Sequence, residues 1–378
     1  MADALPTTMR ALVQTGPNTA TVETVPVPKV TYGSALVKVS AALVHSNVAN
    51  IFKAEHSMFQ LPYPVTPGAG GIGRIAALGP DAVRLQNGQL VMIASHIRAR
   101  DDPSTHVILG VSAGLSESSR NLYKASASSG LYAEYAFAPL ENVYPLDEAR
   151  LLGPVSSGGL GYHIAELQVL SANAIAYSGL RGIGVKPGER VIITPATGHY
   201  SLAAVDVAVA IGARVIAASR SAAGLAKIKS TYPSSVETVQ LSGDLETDGK
   251  ALGAFGLVDA VIDVSPPAAT GATNLEAGVS VLRERGRVLL LGGRADETLP
   301  IPYWKAMLNS WTIKGVCMYE REDIEGTIRL AEAGLLKLGK AAGHEIHGEF
   351  SLDEFQKAVD KSVETAAAGP GSIISIRP

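Results

Sequence analysis

A chain of 378 residues is longer than one ordinary hydrophobic core can serve and suits two domains, with room for one of them to be discontinuous. With 32 Lys+Arg against 35 Asp+Glu the formal net charge is only -3, so no basic field exists to attract nucleic acid and small-molecule chemistry becomes the default. The single cysteine, Cys317, rules out an intrachain disulfide and a cysteine-built zinc cluster, and no apolar run of about 18 residues or N-terminal apolar leader points to a membrane or to secretion. The expectation is a cytoplasmic protein that does not span or sit on a membrane.

From about Met9 to Pro145 short strand-like runs, such as Ser34 to Ser40 and Gln89 to Ala94, alternate with Gly/Pro turns, which predicts a small β-rich domain. The stretch Arg98 to Ser129 is rich in Ser, Asp and Ala without a period, and reads as a long surface excursion. Beyond about Leu151 the pattern changes to apolar strands alternating with helices, with strands predicted at Arg190 to Thr194, Arg214 to Ser219, Leu257 to Val264 and Arg287 to Leu291. Strand, helix, strand at that spacing implies parallel βαβ units covered by helices on both faces, because the strands are apolar throughout. The C-terminal segment carries an amphipathic helix around Asp353 to Val363 and an apolar strand at Ser372 to Ile376. The fold class expected is therefore α/β.

The strand Val191 to Thr194, the segment Pro195-Ala196-Thr197-Gly198-His199-Tyr200-Ser201 and the helical run Leu202 to Gly212 have the layout a dinucleotide needs. A pyrophosphate sits on backbone N–H groups at a helix N-terminus and comes close only where side chains are small, so Gly198 is the natural point of approach. Pro195 and Ser201 stand where glycine is usual, which leaves a plain strand-loop-helix corner as the alternative. The next strand ends at Ser219-Arg220-Ser221, where an NAD enzyme places a carboxylate on the ribose 2′-OH. Arg220 and Ser219, with Lys227 from the following helix, suit a 2′-phosphate instead, so NADPH is the expected cofactor; the alternative for Arg220 is a solvated surface charge.

Several spaced motifs carry a resemblance. Leu43-Val44-His45-Ser46-Asn47 resembles the Cys-His-Ser-Asp segment of alcohol dehydrogenases, and Val65-Thr66-Pro67-Gly68-Ala69-Gly70-Gly71-Ile72-Gly73 resembles their Pro-Gly-His-Glu segment. The likeness continues through Gly88 to Val91, Gly130 to Tyr135, Lys186 to Val191, Gly286 to Val288 and Tyr319 to Ile324, covering nearly the whole chain. The sequence thus resembles the medium-chain dehydrogenase/reductase superfamily. The resemblance implies a GroES-like β-rich catalytic domain at 1–155 and 320–378, and a Rossmann doubly wound parallel sheet domain at 156–319. Val264, Gly293 and Cys317 join Thr197, Gly198, His199, Tyr200, Ser219, Arg220 and Lys227 as expected cofactor contacts. His199 and Tyr200 bring unusual bulk to the turn, facing pyrophosphate or substrate, with packing as the alternative for Tyr200.

The departures decide the chemistry. Zinc-using relatives hold the metal with a Cys, a His and a further Cys or acid, whereas here Val44, Ala69 and Gly70 stand at those places and Ser171 to Ile175 offers no ligand. Val and Ala have no lone pair to give, so a catalytic Zn²⁺ is not expected, and Asn47 replaces the acid that would orient a ligand histidine. His45 and Ser46 are the catalytic candidates: the resemblance implies a hydroxyl proton relay at Ser46 and a cofactor-phosphate contact at His45. A buried hydroxyl bonded to backbone is the alternative for Ser46. His163, His344 and His347 have no spacing partner and read as surface or structural histidines.

The favoured expectation is a zinc-independent NADPH-dependent oxidoreductase passing hydride to an enone, quinone or activated carbonyl, where conjugation spreads the developing charge. A member that keeps the fold but works as an isomerase, cyclisation catalyst or small-molecule binder is the competing expectation. The substrate pocket is expected among Phe52 to Tyr63, Arg98 to Lys124 and Tyr303 to Trp311, a hydrophobic cleft for a small organic molecule. Apolar edge segments at Thr298 to Pro302 and Trp311 to Met318 predict a homodimer.

Overall fold

The computed structural model describes residues 5–54, 60–126, 129–295 and 298–378. The N-terminal elements are β1 (Thr8–Gly16), β2 (Thr19–Pro26), β3 (Ser34–Leu43), α1 (Val48–Lys53), β4 (Gly71–Leu78), β5 (Leu90–Ile93), β6 (His96–Arg98), β7 (His106–Ile108), α2 (Glu117–Ser126), β8 (Tyr135–Pro139), β9 (Val143–Pro145) and α3 (Glu148–Leu151). There follow α4 (Leu170–Gly182), β10 (Arg190–Thr194), α5 (His199–Ile211), β11 (Arg214–Ser219), α6 (Ala222–Thr231), β12 (Val236–Gln240), α7 (Leu245–Gly253), β13 (Val258–Asp263), α8 (Asn274–Val279), β14 (Leu282–Leu290), α9 (Tyr303–Leu308), β15 (Thr312–Gly315) and α10 (Arg321–Glu332). The chain ends with β16 (Glu345–Phe350), α11 (Phe355–Ala368) and β17 (Ser372–Ile376).

Two compact units result, one of residues 1–171, 345–367 and 372–378, the other of 172–344 and 368–371. These breaks differ from the expected 155/156 and 319/320. Helix α10 stays with the second unit because Asp323, 1% exposed, accepts from Arg181 Nε at 2.6 Å and Gly326 lies directly against the Tyr177 ring.

In the first unit a seven-stranded sheet runs β16-β17-β3-β4-β5-β9, with β8 on β3, and its pairings are antiparallel apart from β16 with β17. Strand β3 is central and buried on both faces, which is why its sequence reads as a continuous apolar run. The predicted surface excursion at 98–129 is corrected: it supplies β7 and α2, and Val107, Leu109 and Tyr123 are each at most 1% exposed in the core. Tyr123 anchors α2 in that core, with Leu122 packed partly buried against it and Ser119 buried on the preceding turn. Residues 55–59 and 127–128, within the expected pocket segments and this excursion, lie outside the described residues.

The second unit is a six-stranded all-parallel sheet of order β12-β11-β10-β13-β14-β15. Its order reverses between β10 and β13, which creates a crevice at the carboxyl ends of those strands. The core cluster around Ile192, Ile216, Val261 and Val288 lies against this sheet. Helix α5 ends at Gly212, whose φ of 93° lets its N–H reach the carbonyls of Ala208 and Val209. Among the described residues no helix is long and apolar enough to cross a membrane.

Candidate functional site

In the first unit the candidate site begins where β3 runs out. Val44, 2% exposed, is tied by its N–H to the Ile374 carbonyl, and the chain turns through His45, Ser46 and Asn47 into α1. Asn47 accepts from Asn50 Nδ2 at 3.1 Å, a local role in the turn. Ser46 is partly exposed and its hydroxyl makes no hydrogen bond among the described residues, so it is not the backbone-bonded hydroxyl that was the alternative.

His45 borders a small cavity together with Gln14, Phe52, Ala69, Val111, Tyr132 and Phe355. Its volume is about 20 Å³, the scale of a single water. Burial pushes the His45 imidazole down to about 4, so it is neutral at neutral pH and can donate from only one ring nitrogen. Gln14, 1% exposed, spends its Nε2 on the carbonyls of Gly16 and Phe52 at 3.2 and 3.1 Å. Tyr132 donates its hydroxyl to the Leu43 carbonyl at 2.9 Å, and its ring packs on Phe355 at 5.4 Å. Gly68, φ 110°, brings the backbone against Leu131 and Tyr132 where a Cβ would lie 2.7 Å from the Tyr132 nitrogen. Of the expected pocket segments, Phe52, Gly110 and Val111 border this cavity, whereas Tyr303 and Trp304 lie on an exposed helix of the second unit.

Second-unit residues gather at the carboxyl ends of the parallel strands. Gly198 caps α5 and has no side chain to compete for the first-turn N–H groups. Thr197 Oγ1 and Ser219 Oγ are 2.7 Å apart, which ties the end of β11 to the β10–α5 loop. Arg220 is exposed, and its guanidinium has no partner among the described residues. Val264 donates its N–H to Thr194 O at 2.9 Å and Gly293 donates to Ser265 O at 2.9 Å, so the ends of β10, β13 and β14 are laced together. A Cβ on Gly292 would sit 2.4 Å from the Ser265 carbonyl oxygen, which explains glycine there. Cys317 follows β15 and is exposed. His199 and Tyr200 open α5 with their rings edge to face at 5.1 Å.

Lys227 departs from expectation. Its ammonium, on the second turn of α6, donates to the Pro370 carbonyl at 3.2 Å. His344 is structural, as read, but its partner lies far away in sequence: its Nε2 is 2.9 Å from Asp206 Oδ2, and Tyr232 donates to Asp206 Oδ1 at 2.8 Å, all buried.

Sequence reasoning missed two buried polar groups of the second unit. Asp263, 4% exposed, accepts from Ser265, which in turn accepts from Asn274 Nδ2 at 3.0 Å; burial pushes its carboxyl up against the lowering effect of Ser265. A carboxylate closing the apolar run Ala260-Val261-Ile262 was the available signal. Asn173, 0% exposed on the first turn of α4, gave none. A groove of about 560 Å³ between α7, α8 and residues 299–302 is larger than the His45 cavity; it is lined by Leu245, Val279, Leu299 and Ile301 together with Glu246, Glu276 and Lys305, none of them a residue of the proposed chemistry.

A profile described as the alcohol dehydrogenase GroES-like domain matches residues 31–148, and one described as zinc-binding dehydrogenase matches residues 201–333. The chain belongs to the medium-chain dehydrogenase/reductase superfamily. An alcohol dehydrogenase of Rhizobium meliloti is 26% identical over 349 residues, covering 89% of this chain and 88% of the relative. A quinone oxidoreductase of Sus scrofa is 25% identical, covering 82% and 79%. The solved 2-octenoyl-CoA carboxylase reductase in complex with NADP and 2-octenoyl-CoA superposes with a TM-score of 0.76 at 17% identity, over 100% of this chain and 89% of that one, which bears on the fold. As a medium-chain oxidoreductase the chain takes a nicotinamide cofactor, and its residues suit one: a glycine-capped helix after the first strand of a doubly wound sheet, and buried polar atoms of Thr194 and Asn173 without a partner among the described residues.

Proposed function

We propose that this medium-chain oxidoreductase is a zinc-independent, NADPH-dependent reductase acting on an enone, quinone or activated carbonyl of a small organic substrate. The observation that carries the cofactor choice is the end of β11, where Ser219 is held by Thr197 and the exposed Arg220 guanidinium is uncommitted. A 2′-phosphate there gains a charge-assisted contact, whereas the ribose of NADH meets no carboxylate. Zinc independence is supported by Val44, Ala69 and Gly70 at the ligand places and by the lack of any cluster of three or more His, Cys, Asp or Glu among the described residues that could hold a metal.

When bound, the nicotinamide supplies the hydride. The chain's own part is to bind, orient and exclude water. His45 is neutral, and Ser46 offers a rotatable hydroxyl as the proton-relay candidate. Without a Lewis acid the developing charge must be spread by the substrate itself, which favours conjugated acceptors over plain ketones. The exposed edge strand β15 and the apolar side chains of α9 support a homodimer formed through this sheet edge.

Titration of the purified protein with NADPH and NADH, read by fluorescence, tests the proposal. NADPH should bind about 10 to 100 times more tightly, the value of one charged contact. Arg220→Ala should remove most of that preference and leave NADH binding unchanged. No binding of either cofactor would overturn the reductase reading in favour of a non-redox member of the fold, the alternative that Pro195 and Ser201 in the nucleotide turn motivate.

A further inference from the structure

The ribbon β6–β7 of the first unit brings two imidazoles together. Its register sets Arg98 opposite His106 and His96 opposite Ile108, so His96 and His106 are diagonal neighbours on one face of the two strands. His96 Nε2 lies 3.1 Å from His106 Nδ1, and His96 is buried at 6% exposure. Neither ring borders the His45 cavity.

The shape of the pair distinguishes two ways for the nitrogens to meet. A straight N–H···N hydrogen bond of 3.1 Å would hold the ring centroids about 5.4 Å apart, because both nitrogens then point along one line. Two nitrogens bound to one ion at about 2.0 Å subtend about 100° at it, and their converging lone pairs bring the centroids to about 4.9 Å. The observed separation is 4.9 Å, with the ring planes 81° apart. An angle of about 100° lies between those of octahedral and tetrahedral coordination, so either kind of ion is served.

Hydrogen bonds fix the ribbon in advance. Asn142 Nδ2 donates to the His96 carbonyl at 2.7 Å, and the Leu109 N–H donates to the Ser95 carbonyl at 2.8 Å. At the tip, Asp102 accepts from Ser104 Oγ and Thr105 Oγ1 at 2.6 and 2.7 Å. Arg98, the charged side chain opposite His106, donates to the Pro103 carbonyl at 2.6 Å at the same tip. A ribbon already held in shape loses little freedom when an ion binds it.

We propose that His96 and His106 form a two-histidine site for a first-row divalent transition ion, Ni²⁺, Cu²⁺ or Zn²⁺, with water completing the coordination. Imidazole suits those ions, whereas Mg²⁺ and Ca²⁺ take oxygen ligands that the pair does not offer. The ion clasps β6 to β7 across the turn. Held by only two side chains it exchanges freely, so the purified protein is still expected to carry no stoichiometric zinc. The site is independent of the hydride chemistry proposed above.

Calorimetric titration of tag-free, metal-stripped protein with Ni²⁺, Cu²⁺, Zn²⁺ and Mg²⁺ tests this, with His96→Gln and His106→Gln alongside. Glutamine keeps a hydrogen-bonding tip at either place and so spares a merely structural contact. Wild type should bind one ion per chain, Cu²⁺ more tightly than Ni²⁺ or Zn²⁺, and Mg²⁺ not at all. Each single variant should weaken binding by at least about tenfold, whereas replacing the exposed His163 and His347 together by Gln should leave it within about twofold. Affinity unchanged in both single variants overturns the proposal, as does the lack of saturable binding of all three transition ions, which would leave the pair as a hydrogen bond of the fold. Where a single variant does not fold, the Cu²⁺ electron paramagnetic resonance spectrum of the protein lacking His163 and His347 decides. Coupling to two imidazole nitrogens supports the site, and coupling to one or none overturns it.

Discussion

His45 makes the stability of the protein depend on acid in a way that can be calculated. Burial holds its imidazole down to about 4, against an ordinary value of 6.5. Because the unfolded chain binds the proton more readily, stability is complete above about pH 6.5 and is lost progressively as pH falls toward 4. The difference corresponds to about 3 kcal/mol once both states are protonated, and about 2 kcal/mol of it is lost between pH 7 and pH 5. His45→Gln keeps a polar side chain of similar reach that cannot titrate. Urea unfolding of wild type and variant at pH 7 and pH 5, followed by a probe in the first unit, isolates the term as a double difference. The wild type should lose about 2 kcal/mol more than the variant. Equal losses would show that the ring is solvated in the folded protein, and would remove the argument that His45 acts as a neutral donor.

Three further outcomes are expected. Elemental analysis of the purified protein should find no stoichiometric zinc, since Val44 and Ala69 cannot coordinate it; about one tightly held zinc per chain would overturn the zinc-independent reading. Sedimentation should give twice the chain mass, and Ile313→Lys on the exposed edge strand β15 should shift it toward one chain, whereas an unaltered dimer would place the interface elsewhere. His344→Leu should destabilise the second unit by about 3 to 5 kcal/mol in thermal or urea unfolding, because Asp206 stays buried with only Tyr232 as a partner; a loss under about 1 kcal/mol would mean that the carboxylate is relieved in another way.

What the sequence reveals here depends on whether a residue's neighbours in space are also its neighbours along the chain. Strands β10, β11 and β13 are buried on both faces, so each reads as an unbroken apolar run and its bounds fall within a residue of those expected. Strand β14 begins five residues before the expected start, at Leu282, because Arg283, Glu284 and Arg285 stand in its exposed first half and Arg285 takes a φ of 57°. Helix α2 leaves little trace, since its only large apolar residues, Leu122 and Tyr123, are adjacent in the sequence and so show no helical period. The nucleotide turn was legible because a glycine-capped helix after an apolar strand is a local pattern.

The rest of the site is not local. Asp206 and His344 stand 138 residues apart, and only the packing of α5 beneath the end of α10's connection to β16 brings them to 2.9 Å. Lys227 stood at the right spacing for a phosphate, yet the return of the chain at Pro370 offers its ammonium a carbonyl first. Asn173 is the extreme case. In Leu170-Ser171-Ala172-Asn173-Ala174 it reads as one more small polar residue on a helix of small residues, and its unmatched buried amide appears only when the tertiary fold closes over it and supplies no partner among the described residues. Residues that shape the turn and the end of β11 are neighbours along the chain and show in the sequence, whereas pairings made across the fold, such as Asp206 with His344 and Lys227 with the Pro370 carbonyl, show only in the structure.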